Sequence, residues 1–575
     1  MPPSSRPTTG HDQNNNNNDD DDRIPTERNT GQSISRLSFH ALTISSLLVA
    51  LLAILIALFH PSFSCANTSL KPTFPPSPIP ISKVLKQNLA LAKHPREHGV
   101  LTHALLELQN PELTVFAGPG YGVDLRNPFR GEGGRVRGLE AFPGGMLPRC
   151  GGGGSGGGWG RYDEWTRVKG LRYAASKVRT TGNGRRMSSV GGDGWGKEGR
   201  KQWLIESEDA ADAASLGWAT LLLERAGAID VSNPVGVGRN AYGEAADEMV
   251  RYLVEDNAKF ILKDNAVAGG SLDVGSKSLE KDQPLRRIGQ STGKNWAISH
   301  RTDSVQLWAD FVFMVPPFLA VYAVARQDER WLREAVEQIR AYKAVLDDRH
   351  FECKDLDNTS FPINSTHNSA VTSRKGLWRH IVSQPRNVGQ GECCHDEAFW
   401  LTGNAWALAG IIRVLGVIER WEAPRSTAKT LNSQIKSDKW RASTELLKGT
   451  VNEMLSSLVS QNLDTSALLK NYLNTPGSEA AQWAFEDAAG STLVASSVYR
   501  LAQLGALNDP GMLSWADQLY DVVAKHISAD GLLRSVATMR DVPSRYPVNA
   551  TSEGQSFAIM MYAARRDCAK LGICS

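Results

Sequence analysis

Between residues 84 and 575, apolar positions recur at three- and four-residue steps, the spacing of one face of an α-helix. Trp331, Ala335, Ile339, Tyr342 and Leu346 form one such stripe, and Ala516, Leu519, Tyr520, Val523 and Ile527 form another. The same period predicts helices near 98–109, 210–226, 241–262, 303–326, 397–418, 440–460, 486–504 and 553–571, mostly joined by Gly, Pro, Asn or Asp. Strand-like alternation is scarce. Many paired helices with no short sequence repeat predict an all-α domain, arranged as an α/α toroid in preference to a simple bundle or a solenoid.

A different pattern precedes this body. Residues 37–59 (LSFHALTISSLLVALLAILIALF) carry no Asp, Glu, Lys or Arg. Their length matches the roughly 20 residues that cross a hydrocarbon core. They are expected to form an uncleaved transmembrane signal anchor, with cleavage after Ser64-Cys65-Ala66 and secretion as the competing outcome. Residues 1–36, with Asn14–Asn18 running into Asp19–Asp22, have almost nothing apolar to bury and read as a disordered tail. Arg23, Arg28 and Arg36 precede the helix closely, which places the tail in the cytoplasm and the body in the lumen or outside the cell. The sequons at Asn67, Asn358, Asn364 and Asn549 all follow the helix, in agreement with that orientation. Pro-rich residues 60–83 read as a semi-rigid stalk, so the folded domain is expected over 84–575.

One stretch of the body breaks the helical period. Residues 117–200 hold 25 of the 52 glycines, including GGGGSGGG at 151–158, and read as a solvated insertion. The insertion has 15 Lys/Arg against 7 Asp/Glu, about +8, while the whole chain carries only +3. Nothing in that overall balance argues for a nucleic-acid partner. The 7 cysteines cannot form a dense disulfide scaffold, and no CxxC couple or His pair stands at zinc spacing. No metal or cofactor is expected. The glycines at 118–122 do not follow a strand, and Gly289–Lys294 lacks both the spacing and the Ser/Thr of a phosphate loop, so neither predicts nucleotide binding.

Candidate chemistry concentrates in three places. Asp310 sits among Trp308, Phe311, Phe313 and Met314, apolar company that suits a proton donor. Pro316-Pro317 follow closely and are expected to interrupt the helix, leaving Asp310 near a broken end. Downstream, Trp400 and Trp406 flank Gly403-Asn404, where aromatic faces beside a polar turn suit the stacking of sugar rings. Trp378-Arg379-His380 adds a cation and a titratable ring. Two further segments, 486–502 and 551–564, begin with small or polar residues and run into apolar helices, and read mainly as architecture.

Five motifs, WADFVFMVPPFLAVYA, GLWRHI, WLTGNAWALAG, DAAGSTLVASSVYR and TSEGQSFAIMMYA, in this order resemble the unsaturated rhamnogalacturonyl hydrolases of glycoside hydrolase family 105 and their family 88 relatives. The resemblance runs from about residue 98 to the C terminus, outside the Gly-rich insertion. It implies an (α/α)6 barrel of six helical hairpins. It also implies an oligosaccharide substrate, pectin-derived, that a lyase has left with a C4=C5 double bond. Asp310 falls on the family's acid/base aspartate, and His300, His380 and Trp406 fall on or near positions lining its sugar pocket. With Trp308 and Trp400, these make up the expected substrate-binding set. The implied reaction needs no metal: one carboxylate protonates C4 and activates water for addition at C5.

Two departures stand out. Thr402 replaces the arginine of the family's Arg-Gly-Asn-Gly-Trp, removing a bidentate partner for a substrate carboxylate. The family's second aspartate, on an earlier helix, has two candidates here, Asp209 and Asp212. Two rival readings stay open: a catalytically silent carbohydrate-binding barrel, and another α/α-barrel glycosidase acting on cell-wall or secretory-pathway glycans.

Overall fold

The periodic segments fold as helices whose ends are set by polar caps. Asp328 accepts a hydrogen bond from Arg330 N, Asp487 from Ala489 N and Gly490 N, and Thr551 from Gly554 N, each satisfying donors that the first helical turn leaves unpaired. In the computed structural model the described residues are 77–116, 164–180, 204–226, 228, 241–262, 296–347, 376–383, 394–396, 398–422, 431–462, 466–473, 482, 484–538 and 542–574. They belong to one unit, Phe74–Ser575. The expected tail 1–36, the apolar segment 37–59 and the stalk up to residue 76 lie outside them.

In chain order the helices are α1 (Ile81–Leu91), α2 (Pro95–Gln109), α3 (Lys169–Ala175), α4 (Ala210–Ala214), α5 (Gly217–Arg225), α6 (Ala241–Arg251) and α7 (Phe311–Arg326). They continue with α8 (Glu329–Leu346), α9 (Leu401–Glu422), α10 (Leu431–Gln461), α11 (Ala488–Gln503), α12 (Gly511–Lys525) and α13 (Ser552–Lys570). Short strands connect some of them: β1 (Lys259–Ile261), β2 (Trp296–Ile298), β3 (Gln306–Trp308), β4 (Ile381–Ser383), β5 (Cys394–Asp396), β6 (Phe399–Trp400) and β7 (Tyr472–Leu473).

Packing arranges these helices as a closed double ring. Inside, α2 packs on α4, α4 and α5 on α7, α7 on α9, α9 on α11, α11 on α13, and α13 back on α2. Outside, α3 backs α2, α6 backs α5, α8 backs α7, α10 backs α9, α12 backs α11 and α1 backs α13. The two layers differ in sequence as burial requires. In α7 every residue from Phe311 to Val324 is buried, whereas α8 buries Leu332, Ala335, Val336, Ile339, Tyr342, Val345 and Leu346 along one stripe. Among the described residues α9 alone has the length and apolarity to cross a membrane, but its apolar window is wholly buried within the ring.

Four expectations need correction. Pro316 and Pro317 do not interrupt the helix; α7 runs through both. Proline at 316 removes the donor that would pair with Val312 O, and α9 crosses at this point. A Cβ at Gly410 would stand 2.1 Å from Val312 O, so only glycine allows this approach. Helical pattern also over-extends at 241–262 and 303–326, where a π-helical turn (Tyr252–Asp256) with β1 and the strand β3 take over. Finally, the chain is already packed before residue 84, since Ile79 is buried and Ser77 Oγ lies 3.0 Å from Tyr520 Oη. Inside 117–200, residues 164–180 contribute α3 and bury Trp165, Val168, Leu171 and Ala174 against the ring, packing that the glycine count does not foretell.

A buried charge network ties four inner helices together. Glu107 of α2 accepts from Arg413 of α9 at 2.5 Å and from Arg500 of α11 at 2.8 Å, and Arg500 also reaches Asp567 of α13 at 2.9 Å. All four side chains are at most 5% exposed, so each charge depends on its partners.

Candidate functional site

The short strands put the candidate residues into one cluster. β3, β4 and β5 form an antiparallel sheet in which Trp308 faces Ile381 and Ile381 faces Asp396. Just beyond the strands, Ala309 N donates to His380 O and His380 N donates to Ala398 O, each at 3.0 Å. Trp308, Asp310, His380 and Asp396 are thus brought from three separate segments to the N-terminal end of α7. A second pairing, β6 with β7, sets Trp400 opposite Tyr472.

Asp310 precedes the first residue of α7 and caps nothing with its side chain. It is fully buried, and neither carboxylate oxygen has a hydrogen-bond partner among the described residues. Its neighbour is His380, whose Nε2 stands 3.5 Å from Asp310 Oδ2 and makes no hydrogen bond. On the other edge of that ring, Nδ1 lies 2.8 Å from Asp396 Oδ2. Burial opposes charge on His380, but the flanking carboxylates of Asp310 and Asp396 outweigh it and push the imidazole up to about 9.

Aromatic rings wall this pair. His300 stacks on Trp308 at 4.8 Å and 9°, Trp308 meets the His380 ring edge-on at 5.7 Å, and Trp400 lies against His380 at 4.3 Å. Gly403 makes the closeness possible. A Cβ there would stand 3.1 Å from the Trp400 ring, 3.4 Å from Ala309 and 3.5 Å from His380 Cδ2.

A second carboxylate completes the cluster. Asp212 of α4 accepts from Arg96 at 3.3 Å, and Arg96 also donates to Glu553 at 3.0 Å. Asp212 Oδ1 has no hydrogen-bond partner and stands 3.9 Å from His300 Nε2. Burial, opposed by Arg96 and reinforced by Asp209, Asp310 and Glu553, pushes its carboxyl up to about 7. Burial first, then Arg96, Arg301 and His380, holds His300 well below the ordinary histidine value, so it is neutral. Both aspartates singled out by sequence face an arginine, Asp209 with Arg301 at 3.2 Å and Asp212 with Arg96 at 3.3 Å, and of the two it is Asp212 whose Oδ1 faces His300 at 3.9 Å.

Donor atoms of Asp209, Asp212 and His300 lie within 4.8 Å of one another, the spacing of a cation site. Arg96 and Arg301 already face the two carboxylates, so a metal ion would have to compete with both guanidinium groups. The donor set therefore fits an internal ion-pair cluster better than a cation centre.

Of the residues predicted from sequence, His300, Trp308, Asp310, His380 and Trp400 come together. Trp406 does not join them through any ring contact: it is fully buried, edge-on to Phe313 at 4.5 Å and to Phe557 at 4.6 Å in the core. Gly403-Asn404 is not a turn either. Both lie in the first turn of α9, where Asn404 accepts from Trp378 N and donates to Trp378 O and Trp400 O, holding the two segments in register. Thr402, at the position of the family's arginine, is buried and donates to Asp487 at 2.6 Å. Sequence reasoning missed Arg96, Glu553, Asp396 and Tyr472. Glu553 alone had a signal, its place in the TSEGQ segment at the start of an inner helix.

Residues 283–439 match the family model of Glycosyl Hydrolase Family 88. No curated protein sequence matches the chain. Among solved structures, a possible family 105 member from Klebsiella pneumoniae is similar at 16% identity and a TM-score of 0.34, over 49% of this chain and 61% of that one. A family 105 glycoside hydrolase from C. acetobutylicum is 13% identical with a TM-score of 0.42, over 70% and 89% of the two chains. An unsaturated glucuronyl hydrolase from a Bacillus species, responsible for the degradation of glycosaminoglycan, is 13% identical with a TM-score of 0.34, over 61% and 74%. The chain thus spans about three-fifths of the length of the Klebsiella protein. The matched segment 283–439 contains His300, Trp308, Asp310, His380, Asp396 and Trp400, so most of the cluster lies in the stretch that is similar to Glycosyl Hydrolase Family 88.

Proposed function

We propose that the protein removes a C4=C5 unsaturated uronic sugar from the end of a pectin-derived oligosaccharide by hydrating the double bond. The observation that carries this reading is Asp310: a buried carboxylate with both oxygens uncommitted, beside His380 and walled by Trp308 and Trp400. Protonated Asp310 gives its proton to C4. Water adds at C5 and its proton returns to Asp310, so one carboxyl group acts as acid and then as base. The resulting hemiketal collapses and releases the sugar. Ordinary glycosidases flank the glycosidic bond with two carboxylates instead. Asp212, turned toward His300 and braced by Arg96 and Glu553, sits where it can bind a sugar hydroxyl.

Six inner places, one of them shared by α4 and α5, and six outer helices among the described residues suit an (α/α)6 barrel, and the cluster lies at the N-terminal ends of α4 and α7. We take residues 37–59 as the membrane anchor and the body as lumenal or extracellular. The disulfide Cys568–Cys574 suits an oxidising compartment, and the sequon residue Asn549 is exposed. The test is turnover of an unsaturated rhamnogalacturonan disaccharide by the full chain, followed as loss of ultraviolet absorbance from the enol ether. Loss that disappears in Asp310→Asn supports the reading; no loss from folded protein sinks it.

Thr402 favours a second reading, glycan binding without cleavage, because it faces Asp487 in place of an arginine that would hold a substrate carboxylate. Tight binding across a glycan panel with no bond cleaved selects that alternative.

A further inference from the structure

We infer that Asp396, held by Tyr472, is a positioning residue that fixes the His380 ring with Nε2 toward Asp310. The inference rests on the reading of Asp310 as acid and base.

Asp396 has both oxygens engaged by the protein. Its Oδ2 accepts from Tyr472 Oη at 3.1 Å and lies 2.8 Å from His380 Nδ1, while Oδ1 accepts from Ala398 N at 3.1 Å. Tyr472 is fixed in turn: Ser544 N donates to its hydroxyl oxygen at 3.0 Å, and its strand pairs with β6. The hydroxyl hydrogen of Tyr472 is therefore aimed at Asp396, and Asp396 is aimed at one ring nitrogen. A carboxylate accepting from Nδ1–H selects the orientation in which Nε2 is the free edge, and that edge faces Asp310.

The charged and titratable groups around the ring are Asp310 before α7, Asp396 on β5, Tyr472 on β7 behind Asp396, and neutral His300 on the far side of Trp308. Arg545 acts on Tyr472 from the loop after Ser544. Two carboxylates against one imidazole keep the ring charged at neutral pH. The Nε2 proton then moves to Asp310 Oδ2, which passes it to C4. Asp310 next takes a proton from the attacking water and returns it to Nε2. Asp396 keeps its charge and its bond to Nδ1–H throughout, so proton count and charge balance over the cycle.

The test uses the full chain carrying 13C-labelled histidine, with His380→Gln identifying the His380 signal. In Asp396→Asn the titration midpoint of His380 is expected to fall by more than about one pH unit, since an amide replaces one of two flanking charges. Tyr472→Phe keeps the carboxylate and is expected to move the midpoint less. With unsaturated disaccharide, Asp396→Asn is expected to lower kcat about 10–100-fold with KM nearly unchanged, the size of effect seen when the partner behind a functional histidine is removed. If Asp396→Asn does not fold, Tyr472→Phe decides by the same titration. An unchanged His380 midpoint in both variants overturns the inference. Because the titration needs no substrate, it stays decisive even if the unmodified protein fails to turn over the disaccharide, which would overturn only the proposed function.

Discussion

His380 Nε2 and Asp310 Oδ2 face each other at 3.5 Å with both side chains buried, and among the described residues the Asp310 carboxylate makes no hydrogen bond. Losing the Asp310 charge removes one of the two carboxylates that raise His380, so Asp310→Asn is expected to lower the melting temperature while leaving the protein folded. Turnover of unsaturated disaccharide should fall at least ~100-fold, the low end of general acid–base contributions. Parallel thermal melts and absorbance assays check both halves.

Stability should depend on His380 in a definite pH window. Its imidazole is raised to about 9 in the folded protein from 6.5, so its contribution is fully present below pH 6.5 and is lost as pH rises through 9. The shift corresponds to something on the order of 3 kcal/mol. Asp212, raised to about 7 from 3.8, acts in the same sense, losing its contribution as pH rises from about 4 to 7. The melting-temperature gap between the unmodified chain and His380→Gln is expected to be wide at pH 6 and narrow above pH 9. A gap that widens with pH contradicts the assignment.

Gly403→Ala tests the tight packing behind His380. The added methyl would lie 3.1 Å from the Trp400 ring, which must give by a few tenths of an ångström, whereas 3.5 Å to His380 Cδ2 is ordinary contact. A cost of about 1–3 kcal/mol is expected from overpacking. The loss of kcat should exceed what the unfolded fraction explains, because the displaced Trp400 ring packs on His380 at 4.3 Å, and His380 faces Asp310. Denaturant melts and steady-state kinetics on the same preparation separate the two.

Removing a partner from the buried ion network should act on stability alone. Glu107→Gln leaves Arg413 and Arg500 without their shared carboxylate, with a loss of about 3–5 kcal/mol. Turnover per folded molecule is expected to stay unchanged, since no site side chain belongs to this network. Urea unfolding gives the first quantity and active fraction the second.

How far this was legible beforehand follows from the physics of each element. The helices of ten or more residues stood out because burial on one face imposes the three-and-four spacing over several turns. Strands of two or three residues such as β3, β4 and β5 are too short for any period to show, and they are what assembles the cluster. Asp310 was readable from its apolar neighbours. Asp396 was not, since nothing in ECCHDEAF marks it, and its role comes from pairing with β4 and from Tyr472, 76 residues away. Arg96 reaches Asp212 and Glu553 only because the ring closes, a relation no local window contains. Trp406, edge-on to Phe313 and Phe557, shows a further limit: a tryptophan in a sugar-suited motif and a core tryptophan look alike in sequence.

The seal between α1 and α13 sets an order of events during synthesis. Asn88 donates to Ser556 across 468 residues of chain, and Gln555 to Val84 O across 471. A nascent polypeptide cannot make these bonds until its last helix leaves the ribosome. Until then the apolar flanks of α2 and α11 have no cover. Contacts this distant slow folding because loop-closure entropy must be overcome before they form. The growing chain is thus expected to need shielding by chaperones through most of its translation, and a polypeptide cut short before residue 552 would lack the keystone that locks the circle.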